Sequence, residues 1–537
     1  MSETVDVLVL GTGAAGLTAA LAAAASGMSV RVLEKSDRVG GTTAISGGMV
    51  WIPNHKIEFD GPALNREDAL TYMHSLSLGY MDDGLVEAFV DAGPEVIDFV
   101  EEHTDLRFYV AEGFPDYNPE HPGGRPGGGR SLNTEPFPFD SLGEWSERVL
   151  AFPAGPVAVG FDAETQVKLG QRPSVLGPEH DHRVMGAGLV GGLLKGLLDL
   201  GVEPELNSRA RSVVLVDGRV AGVTVTDPAG DEVEVLARRG VIIATGGFDW
   251  DKDLVRAFLR GPVVGSVAPP LNEGDGLKMS MQAGAQLATM QDAWWTAVVS
   301  MPDDEFLGRE RFRSVRQERT RPGCIMVNAA GRRFVNEATD YHSLVGAFHH
   351  LDPNTFRYPN LTAWMVFDAR HFRAYGFMGE LIENDPTWFV SSPTPEGLGA
   401  ALGVPAGVLA ATIDRWNEQV DAGRDTDFLR GDSAYDTWWG DASRTGIEQT
   451  LGRIDEAPFY AVPVGPGLLG TKGGPRIDPH GRVIGLDGTP VPGLFAAGNA
   501  AGSPSGIAYA GAGATIGPAM VFGYRAAMAL SEQPPAG

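Results

Sequence analysis

The feature that most constrains this chain stands at its start. Six residues, Gly11-Thr12-Gly13-Ala14-Ala15-Gly16, fit the pattern G-x-G-x-x-G between an apolar run, residues 5–10, and an Ala-rich stretch, residues 17–26. Such glycines permit a tight turn, let the backbone approach a pyrophosphate and pack helix against strand, while the helix N-terminus offers the phosphates its N–H groups. Residues 29–34 read as the next strand, which completes a βαβ unit and implies a parallel sheet. Glu34 lies 18 residues beyond Gly16, at the end of that strand. A carboxylate there accepts hydrogen bonds from an unphosphorylated ribose.

A chain of 537 residues exceeds one ordinary core, and its patterns use both ends for one domain. Residues 189–200 have helical apolar spacing. Residues 212–215, 220–225 and 232–236 alternate like strands, with turns at Asp217-Gly218 and Pro228-Ala229-Gly230, and predict a small antiparallel sheet. Residues 240–247, GVIIATGG, read as a separate buried parallel strand whose end meets a ligand. Residues 492–498, PGLFAAG, repeat that pattern, and residues 515–530 read as a closing helix with Pro518 in its first turn. From about 301 to 467 the glycine pattern is missing and aromatic and acidic helical stretches take over. This predicts a second domain, 301–467, inserted into a first made of 1–300 and 468–537. The Gly/Pro-rich run 113–129 is expected to be a loop, neither helix nor central strand.

Composition narrows the function classes. A net charge of −27 repels phosphate backbones and anionic headgroups, which argues against nucleic-acid binding. Cys324 is the sole cysteine, so thiolates build no intrachain disulfide, zinc cluster or iron–sulfur site, and a reducing, cytoplasmic setting is expected. Residues 5–10 lack a basic flank and run straight into the glycine turn, as a strand does and a secretory signal does not. Residues 17–25 are too short to span a bilayer, leaving at most peripheral membrane contact. His180, His182, His349 and His350 lack a matching carboxylate set at helical spacing, so no metal site is expected.

After Glu34-Lys35 comes a small-residue loop, Gly40-Gly41-Thr42-Thr43 and Ser46-Gly47-Gly48, whose backbone can reach a flat ring system. Together with Ala244-Thr245-Gly246-Gly247, the turn Gly274-Asp275-Gly276 and Ala497-Gly498-Asn499, it resembles the flavoprotein superfamily of fumarate reductases and ketosteroid dehydrogenases, over nearly the whole chain. The resemblance implies an α/β fold: a Rossmann-like FAD-binding domain of the GR2 type with an inserted α+β catalytic domain. It implies FAD contacts at Gly11, Gly13, Ala14, Ala15 and Gly16, at Glu34 and Lys35, and along the loop from Gly40 to Gly48. Further contacts are implied at Ala244, Thr245, Gly246, Gly274 and Asp275, and, over the isoalloxazine end, at Gly498, Asn499, Ala514, Thr515 and Ile516. Members that attach FAD covalently use a His where Thr42 and Thr43 stand here, so non-covalent FAD is implied.

Hydride loss to a flavin from a carbon near a ketone needs a carbonyl activator and a base. In Tyr509-Ala510-Gly511-Ala512-Gly513 a phenol and a backbone N–H stand before a helix start, where both can point at a carbonyl oxygen. The run through Ala514-Thr515-Ile516-Gly517-Pro518 resembles the Tyr-Pro-Gly-Pro-Gly-Ala-Thr-Ile-Gly-Pro motif of 3-ketosteroid Δ1-dehydrogenases, with Ala510 and Ala512 at two of its prolines. Tyr509 and the Gly513 amide are thereby implied to bind a C3 ketone. The segment from Arg333 to Tyr341 resembles the one ending in the tyrosine that removes the C2 proton, and the segment from Gly113 to Glu120 the loop whose tyrosine supports that base. These imply Tyr341 as base and Tyr117 as its partner, lowering its pKa. The substrate implied is a 3-ketosteroid and the electron acceptor a quinone. Fumarate reductases carry a Glu after the last Ala-Gly and a His-Gly-x-Asn-Arg run; Asn499 follows Gly498 here and the run is missing, which removes the tools for a dicarboxylate. Asp292-Ala293-Trp294-Trp295 fits either an apolar pocket wall or core packing.

Overall fold

The N-terminal apolar run forms the strand Val5–Leu10 with parallel partners on both sides, Val30–Leu33 and Glu232–Ile243. Its side chains are covered on both faces, which is why it reads as continuous apolar sequence rather than as alternation. The chain, seen as a computed structural model that describes residues 4–152, 168 and 180–534, is mixed α/β and is organised on two seven-stranded sheets.

The first sheet runs Val30–Leu33, Val5–Leu10, Glu232–Ile243, Pro490–Ala496, Arg482–Ile484. Helix Ala14–Ala25 crosses it in contact with Met185–Asp199 and the closing helix Ile516–Ser531. Small residues allow that approach: a Cβ on Gly523 would lie 2.4 Å from the Ala15 carbonyl oxygen. The strands expected at 232–236 and 240–247 are one, Glu232–Ile243, since no turn residue separates them. Its first half pairs antiparallel with Arg219–Thr226 and its second half parallel with Val5–Leu10 and Pro490–Ala496. The small antiparallel sheet is therefore an outgrowth of the main one.

The second sheet runs Arg309–Ser314, Ala293–Phe306, Phe459–Thr471, Ala363–Asp368, Cys324–Asn328, with Gly265–Ser266 and Val390–Ser392 also on Phe459–Thr471. Positions 301 and 467 fall inside two of these strands, and the sheet draws residues from as early as Gly265. Its helices include Tyr341–Phe348, Ala369–Tyr375 and Val408–Asp421. Trp295, Phe348, Phe367 and Phe372 pack the core on one side of it.

The Gly/Pro-rich run is only in part a loop. Gly128 and Gly129 open the strand Gly128–Thr134, central between Val50–Trp51 and Phe108–Glu112, which corrects the reading that excluded a central strand. Glycine is required there by crowding: a Cβ on Gly128 would stand 2.2 Å from the Phe114 carbonyl oxygen. Among the described residues no helix is long and apolar enough to cross a membrane, and no group of three or more His, Cys, Asp or Glu could hold a metal ion.

Candidate active site

Val5–Leu10, Glu232–Ile243 and Pro490–Ala496 run parallel, so their carboxyl ends meet at one edge, where ligands bind in open α/β sheets. One cavity of about 1740 Å³, counting its open mouth, begins there and runs on to a group of tyrosines. Gly11 turns with φ +102°, and a Cβ on it would lie 2.4 Å from the Ala244 carbonyl oxygen. Helix Ala14–Ala25 carries no side-chain cap at Gly13; the Thr43 hydroxyl accepts from the Ala14 N–H. Among the described residues nothing accepts from the N–H groups of Ala15 and Gly16, which remain for an anion at the helix end.

Glu34 is buried beside this turn. One carboxylate oxygen accepts from the Thr12 amide at 3.1 Å and the Thr12 hydroxyl at 2.5 Å, and the other from the Ser36 amide at 3.0 Å. Burial raises its pKa against these donors. Three donors do not exhaust a carboxylate's lone pairs, so a ribose hydroxyl still finds an acceptor. Lys35 spans Glu273 and Asp275 at 3.1 and 3.0 Å, and Arg209 meets Asp275 at 2.6 Å. The open helix end, the acceptor on Glu34 and the glycine-only approach fit the pyrophosphate, ribose and flat ring of FAD.

At the far end Tyr117, Tyr341 and Tyr509 stand together, each nearly buried. Asp340 caps helix Tyr341–Phe348 by accepting from His342 and Ser343, which fixes Tyr341 at the first helical position. The Tyr117 amide donates to the Ala510 carbonyl at 3.1 Å, tying two loops together. The hydroxyl oxygens of Tyr117 and Tyr341 are 2.5 Å apart, and the Tyr509 ring centre lies 4.9 Å from that of Tyr117 and 5.6 Å from that of Tyr341. Gly513, at φ +96°, lines the same space, and among the described residues nothing accepts from its N–H.

Burial pushes the Tyr341 phenol up to about 12, while the Arg316 guanidinium, 5.7 Å from its ring, and the Tyr117 and Tyr509 hydroxyls pull it down. Tyr117 and Tyr509 are raised well above the usual phenol value, again first by burial. Tyr341 is thus the phenol of the three that ionises most readily. The Tyr117 hydroxyl lowers the Tyr341 value, the direction expected of it, but desolvation outweighs it and leaves the phenol above its ordinary value.

Of the residues singled out in the sequence, Gly11, Gly13, Ala14, Ala15, Glu34, Lys35, Gly41, Thr42, Thr43, Ser46, Gly47 and Gly48 line the cavity. So do Tyr117, Ala244, Thr245, Gly246, Asp275, Tyr341, Gly498, Asn499, Tyr509, Gly513, Thr515 and Ile516. Gly16, Gly40, Gly274 and Ala514 do not. A Cβ on Gly16 would lie 2.0 Å from the Gly11 carbonyl oxygen and one on Gly40 2.6 Å from Ala44, so these two serve close packing. Gly274 caps helix Asp275–Gln282 in the left-handed region, and Ala514 is buried behind the turn. Trp294 and Trp295 do not line this cavity: Trp294 packs edge-on against Tyr509 at 4.7 Å, and Trp295 turns into the second core. Phe114, Arg209, Asn272, Arg316 and Trp439 line it without having been singled out. Arg316 sits among eight arginines between 309 and 333, a run that reads as solvated charge. Phe114 and Trp439 are far apart in the chain and meet only in space, 5.8 Å between ring centres.

Residues 6–516 match the model of the FAD binding domain family. The chain is 37% identical to the 3-oxosteroid 1-dehydrogenase of Mycobacterium tuberculosis, over 98% of both chains. It is also 37% identical to the 4-oxocyclohexanecarboxylate 2-dehydrogenase of Sinomonas cyclohexanicum, over 99% of this chain and 93% of that one. The crystal structure of 3-ketosteroid delta1-dehydrogenase from Sterolibacterium denitrificans, in complex with 1,4-androstadiene-3,17-dione, superposes with a TM-score of 0.87 at 30% identity, covering 98% of this chain and 99% of that one.

Proposed function

The chain belongs to the FAD-binding flavoprotein family that includes the 3-oxosteroid 1-dehydrogenases, and on that premise we propose that it introduces a 1,2-double bond into 3-ketosteroids. The observation that carries this reading is the contact of three buried tyrosines and the Gly513 N–H at the end of the dinucleotide cavity. The Tyr509 hydroxyl and the Gly513 N–H donate to the C3 ketone oxygen and stabilise the charge that grows on it as the α-proton leaves. Tyr341, the most acidic of the three phenols, takes that proton from C2 as its phenolate and becomes the neutral phenol, and Tyr117 stabilises the phenolate beforehand by donating to its oxygen. FAD, when bound, supplies the acceptor for the hydride from C1. Burial of all three phenols keeps water from the enolate.

The FAD is held non-covalently: Thr42 and Thr43 occupy the early loop, and among the described residues no His or Cys lines the cavity. Reoxidation falls to a quinone-type acceptor, met from the cytoplasmic side by at most peripheral membrane contact. A second reading, a single-ring ketone acid as substrate, is favoured by the equal identity to the Sinomonas cyclohexanicum enzyme and by the Arg316 guanidinium at the cavity wall.

Anaerobic mixing of holoenzyme with androst-4-ene-3,17-dione and, separately, with 4-oxocyclohexanecarboxylate tests both readings. Rapid flavin bleaching by the steroid with formation of the 1,4-diene is the expected outcome. Bleaching by the monocyclic acid alone supports the second reading, and an oxidised flavin with every cyclic ketone refutes both.

A further inference from the structure

The loop that carries Tyr509 has no regular hydrogen-bonding pattern of its own, yet side chains from elsewhere occupy its carbonyls almost in succession. Lys472 donates to Gly506 at 3.1 Å and to Ala508 at a shorter distance. His342 bonds Ile507 through Nε2 at 2.7 Å, Tyr72 donates to Ala510 at 2.7 Å, and Ser131 donates to Ala512 at 2.9 Å. Carbonyls of an irregular buried segment must be satisfied somehow; here the solutions come from four separate parts of the fold.

Lys472 has a fully buried side chain next to the end of strand Phe459–Thr471 and, among the described residues, makes no ion pair. A buried ammonium without a carboxylate partner is costly, so its three N–H groups need electron-rich neighbours. Two of them go to the loop carbonyls, and the ammonium also stands 4.1 Å from the centre of the Trp294 ring, a cation–π distance. That ring in turn packs edge-on against Tyr509 and is oriented by its own N–H bond to Asn499 at 2.9 Å. One ammonium therefore holds Tyr509 from two sides, through the backbone just before it and through the indole beside its ring.

We propose that Lys472 is the positioning residue for Tyr509: its ammonium fixes the 506–508 carbonyls and the Trp294 ring, and so sets where the Tyr509 hydroxyl points. The proposal rests on the reading of Tyr509 as the ketone-binding phenol. Burial pushes the Lys472 ammonium down to about 7, opposed by Asp292 and Asp340 and reinforced by Arg260. His342, the other group facing this loop, is pushed down to about 3, so it stays neutral and donates from Nε2 to Ile507 while Nδ1 accepts from the Trp295 amide at 3.3 Å. Lys472 is thus the group that brings a charge to the loop, in part at neutral pH and lost as pH rises through about 7. Ser505 also donates to Ala508 at 3.1 Å, so loss of the ammonium leaves Gly506 as the carbonyl without a donor.

The test is a Lys472→Met variant, which keeps most of the apolar stem and removes the charge, isolated as holoenzyme. Hydrogen exchange is expected to rise in peptides covering 503–515 and to stay unchanged over Val5–Leu10 and Ala14–Ala25, with flavin content as in the wild type. The limiting rate of flavin bleaching by the ketone substrate is expected to fall about 100-fold, the scale of a displacement near 1 Å. In a Tyr509→Phe background the same change is expected to cost less than threefold, because the group it positions is already gone. Unaltered exchange over 503–515, or an undiminished rate loss in the Tyr509→Phe background, overturns the proposal. Should Lys472→Met fail to fold, Lys472→Gln, which retains N–H donors without the charge, goes through both measurements with the same expected directions. If the wild type is bleached by no cyclic ketone, the functional reading fails, and the exchange arm alone still decides whether Lys472 holds the loop.

Discussion

A phenol held near pKa 12 is almost wholly protonated at neutral pH, so its phenolate is a strong base in short supply, and this sets what Tyr341 can do. Below 12 its ionised fraction rises tenfold per pH unit, so a step that needs the phenolate accelerates with pH. In the Lys472→Met variant the limiting rate of flavin bleaching is expected to climb from pH 6 to pH 9 without a plateau, whereas in the wild type loss of the Lys472 charge above about pH 7 is expected to flatten the climb, as stopped-flow traces at saturating ketone would register. Tyr341→Phe is expected to lose about 10²–10⁴-fold of that rate at every pH, the usual worth of a positioned base, with flavin content unchanged. A profile that is flat from pH 6 in both proteins would remove the proton from the slow step and the role from Tyr341. Tyr341, Tyr117 and Tyr509 were legible in the sequence because each sits in a short motif with its neighbours. Arg316 was not, since a guanidinium that faces a cavity and one that faces solvent look alike among so many arginines, and only the fold turns this one toward Tyr341.

At the scale of elements, the same loop that presents Tyr509 is braced against a hairpin whose ends the sequence did not resolve. The strand opening at Gly128 and the turn carrying Asp116 and Tyr117 are joined by a buried ion pair, Arg130 to Asp116 at 2.6 Å, and the other Asp116 oxygen accepts from the Trp51 indole at 3.0 Å. Glycine and proline punctuate this run so densely that it reads as loop, but their spacing cannot say that Arg130 returns to neutralise Asp116. The buried apolar strands Val5–Leu10 and Glu232–Ile243 were easier to read, because burial on both faces leaves an unbroken apolar run. Arg130→Met leaves Asp116 charged in the interior with the Trp51 indole and the Arg125 amide as donors but without its ion-pair partner, which costs about 3–5 kcal/mol. Urea denaturation of the variant should show that loss, and because Tyr117 is the next residue, its bleaching rate should fall as well. Retention of both stability and rate would mean that Asp116 takes up a proton, or another partner, at little cost.

At the scale of the whole molecule, the two sheets are joined by continuous chain and by the cavity between them. Gly11, Ala244 and Gly498 approach it from the strand ends of the first sheet; Arg316, Tyr341 and Leu469 approach it from the second. A ligand that fills such a cavity adds contacts to both and binds only the folded arrangement, so it must stabilise the whole by mass action. At a free FAD concentration 100 times Kd this amounts to about 2.7 kcal/mol. Protein stripped of flavin is therefore expected to unfold at lower temperature than holoenzyme, with the difference restored by added FAD and growing with its logarithm. The same preparation decides how the flavin is attached, because acid precipitation separates the alternatives. Bright flavin in the supernatant and a colourless pellet are expected if the short helical turn Gly41–Ala44 holds the ring system only by backbone and threonine contacts. Flavin that stays with the precipitated chain would require a covalent bond to a side chain outside that turn and would overturn both the assignment of a non-covalent cofactor and the mass-action dependence on added FAD.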